Sequence, residues 1–315
     1  MTFSVSVIIP AFNVESFIEK AILSALQQPE VLEVIVVNDG STDSTEAILN
    51  KLQEEYPKVK VFHHLNKINK GRSATRNLGI IKANGNYIAF LDADDFYLPN
   101  RFTNDKRIFE NNINADGVYN AVGFHFYRAI SDSEKPYFKL NTISKKLPPS
   151  ELFDAVISSK YGYLHLNGIT LKASVFNTIG FFNESLKVAE DSDIIYKMAL
   201  GCTMEPSEIN EAVAKRGIHE TNVYTKTDLY KIYNMKLYES VIAWSSQSKV
   251  SLKKIDSIFK YMWIVRYREN HSLIKDVGYW FQLVFKNPEF IFTSLTIKYF
   301  PIVRLRQKLF PFLFK

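Results

Sequence analysis

The stretch Tyr87-Ile88-Ala89-Phe90-Leu91-Asp92-Ala93-Asp94-Asp95 decides how this chain is read. Its first five residues have the character of a buried β-strand, and the run stops at three carboxylates within four positions. Charge at the end of a buried strand is costly unless something balances it. In an open α/β sheet, the carboxyl ends of the strands are also where ligands bind. Asp92 and Asp94, with small Ala93 between them, suit a hard divalent cation that keeps some waters and bridges phosphate oxygens. A plainer alternative has Asp94 and Asp95 capping the turn toward Leu98-Pro99-Asn100. Asp-x-Asp alone does not separate the two.

The flanking sequence supplies the context. Val5 to Ile9 is an apolar run ending at Pro10. Phe17, Ile18, Ala21, Ile22, Ala25 and Leu26 then recur at helical spacing, with Asn13 as a candidate N-cap. Val34 to Val37 is continuously apolar, as a parallel strand covered on both faces should be. A helix carrying Ala47, Ile48 and Leu52, a strand over Val59 to Phe62 and a helix carrying Ala74, Leu78 and Ile81 lead to Tyr87. Strands alternating with helices at this spacing predict an α/β fold, a doubly wound and mostly parallel sheet. Beyond Asn100 the spacing predicts a helix over 101–111, two strand pieces within 117–128, a mobile polar loop over 130–149 and a strand–helix piece from Ile169 to Ile179. After Thr225 it predicts consecutive helices.

The 315 residues are 46% hydrophobic and 14% aromatic, enough for one large core or two modest ones. The lone cysteine, Cys202, excludes an internal disulfide and fits a reducing compartment. No basic region followed by an apolar segment opens the chain, so no secretory signal is expected, and no run of about 18 apolar residues predicts a spanning helix. These features together favour a cytoplasmic protein. The net charge of +6 is unevenly spread. Residues 253–315 hold 12 Lys and Arg against 4 Asp and Glu, a net +8, which leaves residues 1–252 at −2. A basic, aromatic-rich tail points to an anionic surface and not to a nucleic-acid groove through the body.

Five stretches together resemble the family 2 glycosyltransferases, which have the GT-A fold. They are Val5-Ser6-Val7-Ile8-Ile9-Pro10-Ala11-Phe12-Asn13, Val34 to Asp43 around Asn38-Asp39-Gly40-Ser41, Asn69-Lys70-Gly71-Arg72-Ser73-Ala74-Thr75-Arg76-Asn77-Leu78-Gly79, Phe90 to Asp95, and Glu190-Asp191-Ser192-Asp193. The resemblance covers about the first two-thirds of the chain, and the ordered set is far more specific than any one member. It implies a GT-A domain over 1–225, with nucleotide-sugar binding in 1–100 and the acceptor side and catalytic base in 101–225. Residues 226–315 form a separate helical segment that matches nothing assignable.

Each motif carries its own chemistry. Pro10, Ala11, Phe12 and Asn13, and also Asp39, follow strands and so open on the ligand edge of the sheet. A carboxylate such as Asp39 can accept the imide N–H of uracil or a ribose hydroxyl, and the resemblance implies that nucleotide-binding role. An Asx turn beside Gly40 fits the local sequence equally well. Gly71 and Arg72 open a helix whose N–H groups could face a diphosphate, with Asp92 and Ala93 completing the nucleotide site. Arg72 and Arg76 add charge there, or lie on a solvated helix face; for Arg76, followed by Asn77, a structural role fits at least as well. Attack by a sugar hydroxyl requires a base, and the resemblance implies that Asp191 is it. Acidic residues complementing the helix dipole are the plainer account of 190–193. The stretch Arg216 to Asn222 resembles a later family motif whose histidine, here His219, approaches the metal or the diphosphate. The implied metal set is Asp92, Asp94 and His219, holding Mn²⁺ or Mg²⁺.

No Gln-x-x-Arg-Trp element, the signature of processive synthases, follows Asp191, which leaves transfer of a single sugar. The donor expected is a UDP-sugar and the acceptor a saccharide or lipid-linked saccharide in surface polysaccharide assembly. Direct displacement with inversion is the simpler mechanism, since no Ser or Cys nucleophile motif is present. A nucleotidyltransferase on a similar fold would carry a Gly-rich basic loop after its first strand, and Pro10 to Asn13 is not one. A dinucleotide oxidoreductase would carry G-x-G-x-x-G after Ile9. An inactive carbohydrate- or membrane-binding module would not need Asp39, Asp92, Asp94 and Asp191 together. The tail, ending Phe310-Pro311-Phe312-Leu313-Phe314-Lys315, reads three ways: as a peripheral anchor on the inner face of the membrane, as a packed helical subdomain, or as a homodimer interface.

Overall fold

The computed structural model describes residues 2–220, 227–309 and 312. The chain folds as two compact units, Met1–Thr227 and Asp228–Lys315. The first begins β1 (Val5–Ala11), α1 (Ile18–Leu26), β2 (Val31–Asn38), α2 (Thr45–Glu55), β3 (Val59–His63), α3 (Arg72–Lys82), β4 (Tyr87–Phe90). It continues β5 (Phe96–Tyr97), α4 (Thr103–Asn111), β6 (Gly117–Tyr119), β7 (Ala121–Phe126), α5 (Pro149–Ser158), β8 (Ile169–Lys172) and α6 (Phe176–Ile179). It closes with α7 (Glu190–Gly201), β9 (Met204–Pro206) and β10 (Ala212–Ile218).

Seven strands form one sheet in the order β3-β2-β1-β4-β8-β6-β9. β1 runs parallel to both β2 and β4, and β2 to β3, whereas β8 is antiparallel to β4 and β6. The sheet is therefore mixed α/β and mostly parallel, with β8 the reversed strand. β4 sits in its middle with β1 beside it, and the loops at the carboxyl ends of β1, β2 and β4 open side by side. A second sheet, β5-β10-β7, lies beyond β4 and brings residues 212–218 back toward Asp94 and Asp95.

The core follows from the apolar runs. Val5, Val7, Ile9, Val34 and Val36 are fully buried and pack with Ile18, Ala21, Ile22 and Leu49. On the other face α3 approaches β1 at Gly79, where an added Cβ would stand 2.4 Å from Ile8 Cγ2. Arg101 and Asp105 are wholly inside as an ion pair of 2.7 Å, and Arg101 Nε also donates to the Asn167 carbonyl.

Two expectations need correction. Asn13 does not cap α1, which begins at Ile18. The backbone of Asn13 is left-handed (φ 51°), and its side-chain oxygen accepts from the Thr42 N–H at 2.8 Å. The loop over 130–149 is pinned rather than loose across residues 141–147. Asn141 exchanges two backbone hydrogen bonds with Val122, Ile143 bridges Gly162, and Ile143 and Leu147 are buried. Its apolar residues are too few to show a period but enough to anchor it.

The second unit holds α8 (Thr227–Gln247), α9 (Leu252–Arg268), α10 (Leu273–Lys286), α11 (Ser294–Lys298), α12 (Pro301–Arg304) and α13 (Arg306–Leu309). Ile258, Met262 and Phe259 of α9 pack inside, and Phe259 contacts Phe290 and Tyr299. Among the described residues no helix is long and apolar enough to cross a membrane. The tail residues 310, 311 and 313–315 lie outside the described residues.

The Gly79 contact gives a direct test of the fold. Gly79→Ala overpacks the α3–β1 interface and should lower stability by about 1–3 kcal/mol in urea unfolding, while Ile8→Ala in the same chain should recover part of that loss.

Candidate functional site

Two loops form the floor beside β1. Asn13 N–H donates to Ser41 Oγ (3.0 Å), Val14 N–H to Thr45 Oγ1 (2.9 Å) and Ser44 N–H to Glu15 Oε2 (2.8 Å). The segments after β1 and β2 therefore behave as one piece. Ala11 is buried within it and Phe12 is exposed. Asp39 is 3% exposed. Its two oxygens accept from Lys70 N–H at 2.6 Å and Gly71 N–H at 2.9 Å, and His64 Nε2 lies 3.5 Å away. Asp39 thus fastens the entry of α3 to the end of β2. Gly71 takes φ 87° at that entry, a backbone that favours glycine.

Arg76 of α3 does not lie on a solvated face. It is 2% exposed and sends one nitrogen to Asp92 Oδ1 (2.7 Å) and another to Glu190 Oε1 (3.0 Å). The strand end that carries Asp92 and the helix start that carries Asp191 are thereby joined through one guanidinium. Burial alone would raise the Asp92 carboxyl, but the Arg76 charge overrides it and holds the group down at about 2. Burial pushes Glu190 up from its ordinary value despite Arg72 and Arg76. Arg72 Nε lies 3.3 Å from Glu190 Oε1, and its Nη2 donates to the Lys187 carbonyl.

The acidic run at α7 divides by environment. Glu190 is taken by Arg76, and Asp193 is fully buried against Lys197 at 2.6 Å. Asp191 is half-buried, and its Oδ1 accepts from the Ser192 N–H at 2.7 Å. Ala189 precedes it in a left-handed conformation (φ 64°). That turn ends the preceding loop and starts the helix at the acidic run.

Beyond β4 the three aspartates face different partners. Asp94 Oδ2 lies 2.8 Å from His219 Nε2, and the His219 ring stacks on Phe17 at 4.9 Å. Asp95 is buried. It accepts from Gly217 N–H at 2.7 Å and from Asn167 Nδ2 at 2.5 Å. Burial, followed by the charges of Asp94 and Asp92, pushes its carboxyl well above the ordinary range. Asp92, Asp95 and His165 each place a donor atom within 4.8 Å of the others, and burial lowers the His165 imidazole. The donor sets fit a divalent cation. Carboxylate oxygens suit Mg²⁺ or Mn²⁺. Asp94 and His219 are bonded directly to each other, and among the described residues the three that could share one ion are Asp92, Asp95 and His165, not the expected Asp92, Asp94 and His219.

Of the residues singled out from sequence, Pro10 to Asn13, Asp39, Gly71, Arg72, Asp92, Ala93, Asp94, Asp191 and His219 all belong to the first unit, around the carboxyl ends of β1, β2 and β4. Asn222 lies outside the described residues. His165, Asn167, Glu190, Asp95 and Gly217 were not read as parts of the site. Gly217 carried a usable signal, since glycine within a strand marks a close backbone approach. Here an added Cβ would lie 2.3 Å from the Asp94 carbonyl oxygen. Asn167 carried none.

Residues 6–147 match the family model for glycosyl transferase family 2. An uncharacterized glycosyltransferase of Rickettsia felis is 30% identical over 77% of this chain and 38% of its own length. One from Haemophilus influenzae is 38% identical over 45% and 54%. This chain therefore spans about two-fifths to half the length of these relatives. Hyaluronan synthase of Pasteurella multocida is 27% identical over 87% of this chain and 27% of the enzyme. Among solved structures, S. aureus TarS 1-349 superposes with a TM-score of 0.59 at 18% identity, covering 95% of this chain and 81% of that one. The mannosyltransferase PcManGT of Pyrobaculum calidifontis, in complex with GDP-Man and Mn²⁺, gives 0.55 at 15% identity, covering 98% and 87%. At these identities the superpositions establish the GT-A fold.

The buried Arg76 pair is open to measurement. Arg76→Ala removes the ion pair of Asp92 and leaves Glu190 with Arg72 alone, and should cost about 3–5 kcal/mol in chemical denaturation. Arg76→Met combined with Glu190→Gln and Asp92→Asn should cost markedly less. Equal losses in the two variants would mean that the ion pairs are not what Arg76 contributes.

Proposed function

We propose that this chain, whose residues 6–147 match the family model for glycosyl transferase family 2, moves one sugar from a nucleotide diphosphate sugar to an acceptor hydroxyl, with inversion and with a divalent cation. The observation that carries this reading is the Arg76 junction, which ties the Asp92 end of β4 to the Asp191 end of α7. A donor held at the first and an acceptor reaching the second would meet across that junction.

The parts follow from their chemistry. Asp39, with lone pairs beyond the two spent on Lys70 and Gly71, accepts from the nucleoside, and Phe12 offers an exposed ring to the base. UDP is the favoured nucleotide, in keeping with TarS structures in complex with UDP and UDP-GlcNAc. Asp92, Asp94 and His219 would hold Mn²⁺ or Mg²⁺, which when bound neutralises the departing diphosphate. Asp191, the carboxylate of its run that forms no ion pair among the described residues, takes the proton of the acceptor hydroxyl. As that oxygen bonds to the anomeric carbon, the carbon–oxygen bond to the diphosphate breaks, and the configuration inverts. The absence of Gln-x-x-Arg-Trp supports single transfer. Relatives named hyaluronan synthase and chondroitin synthase support polysaccharide assembly as the setting. The acceptor in this reading is a saccharide or lipid-linked saccharide.

Two variants separate the roles. Asp94→Ala should abolish transfer and metal-dependent nucleotide binding while the melting temperature stays near that of the parent. Full activity of this variant, or of the parent in EDTA, rejects the metal assignment. Asp191→Asn should slow turnover by on the order of a hundredfold or more with nucleotide affinity unchanged. A loss confined to nucleotide affinity would remove Asp191 from the chemistry.

A further inference from the structure

Helix α10 is apolar on two sides. Trp280, Leu283 and Val284 face the interior of the C-terminal unit. Ile274, Phe281 and Phe285, spaced seven and four apart, share a different stripe, and Ile274 and Phe285 are 85% and 72% exposed. The rings of Phe281 and Phe285 stack at 6.0 Å and form one aromatic surface, with Gly278 between it and Ile274. Exposed Lys275 and Lys286 lie at its two ends. A turn further along the chain Phe292 is 99% exposed. Large aromatics in water beside lysines need an occupant that accepts both.

We propose that the α10 stripe and Phe292 are a docking surface for an anionic lipid leaflet. Apolar rings enter the boundary between headgroups and acyl chains, and Lys275 and Lys286 meet the lipid phosphates. Charge decides against a second copy of this chain. Residues 253–315 carry +8, and a symmetric dimer through this face would bring two such segments together, whereas anionic lipid draws them in. The surface lies within one helical unit and is independent of the transfer reaction.

Sedimentation of the full chain with vesicles tests this without any sugar transfer, so the result stands whether or not the proposed reaction is correct. The chain should pellet with vesicles containing phosphatidylserine, stay in solution with phosphatidylcholine alone, and be released by high salt. Phe285→Glu with Phe292→Glu should weaken pelleting about tenfold or more with unchanged melting, because both side chains are exposed in the parent. Lys275→Glu with Lys286→Glu should do so by a comparable factor. Equal pelleting with both vesicle types, or variants that pellet like the parent, overturns the proposal. A dimer that Phe285→Glu dissolves, with no vesicle binding by the parent, overturns it in favour of self-association.

Discussion

The site depends on the double ion pair of Arg76. A guanidinium out of water stays charged only if its partners are fixed, and a carboxylate beside it is held ionised in return. Asp92 and Glu190 supply that pairing from segments almost 100 residues apart in sequence. The pair is therefore a length gauge: it sets how far the end of β4 stands from the start of α7. Glu190 spends its charge on this task, Asp193 spends its own on Lys197, and Asp191 stays half-buried at the helix start. One run of three acids acquires distinct environments because the residues around it differ.

Much of the fold was legible because the strands are buried on both faces. Val5 to Ile9, Val34 to Val37 and Tyr87 to Leu91 admit little but a parallel sheet, and the helices between them keep a clear period. The legible part thins where burial becomes local. Asn13 has a good capping side chain, yet that side chain serves the loop after β2, which no nearby residue announces. The 130–149 segment looks loose because its anchors, Asn141 and Ile143, bond to residues that sequence does not place beside it.

The site divides in the same way. Residues that carry charge at a strand end or a helix start could be named, since both places leave backbone groups and ligands to satisfy. What could not be named were the supports. Asn167 is fully buried and joins Asp92 to Asp95, but an asparagine before a strand has many ordinary uses. Arg76 stood in the sequence as a helix residue with no sign of its depth. The helices after residue 227 were visible from composition, whereas the outward stripe of α10 needed coordinates, because both of its apolar faces look alike in sequence.

The tie between Asp95 and the Gly217 N–H spans more than 120 residues. It has a meaning for synthesis on the ribosome. The strand end bearing Asp92, Asp94 and Asp95 emerges early, and the residues that tether Asp94 and Asp95, Gly217 and His219, follow much later. Until then Arg76 and Asn167 can hold Asp92 and Asp95, while the contacts that Gly217 and His219 make with Asp95 and Asp94 are still to form. A nascent chain stopped before residue 217 would hold most of the parallel sheet and still lack a set site, so assembly of the sheet and completion of the site are separate events in time.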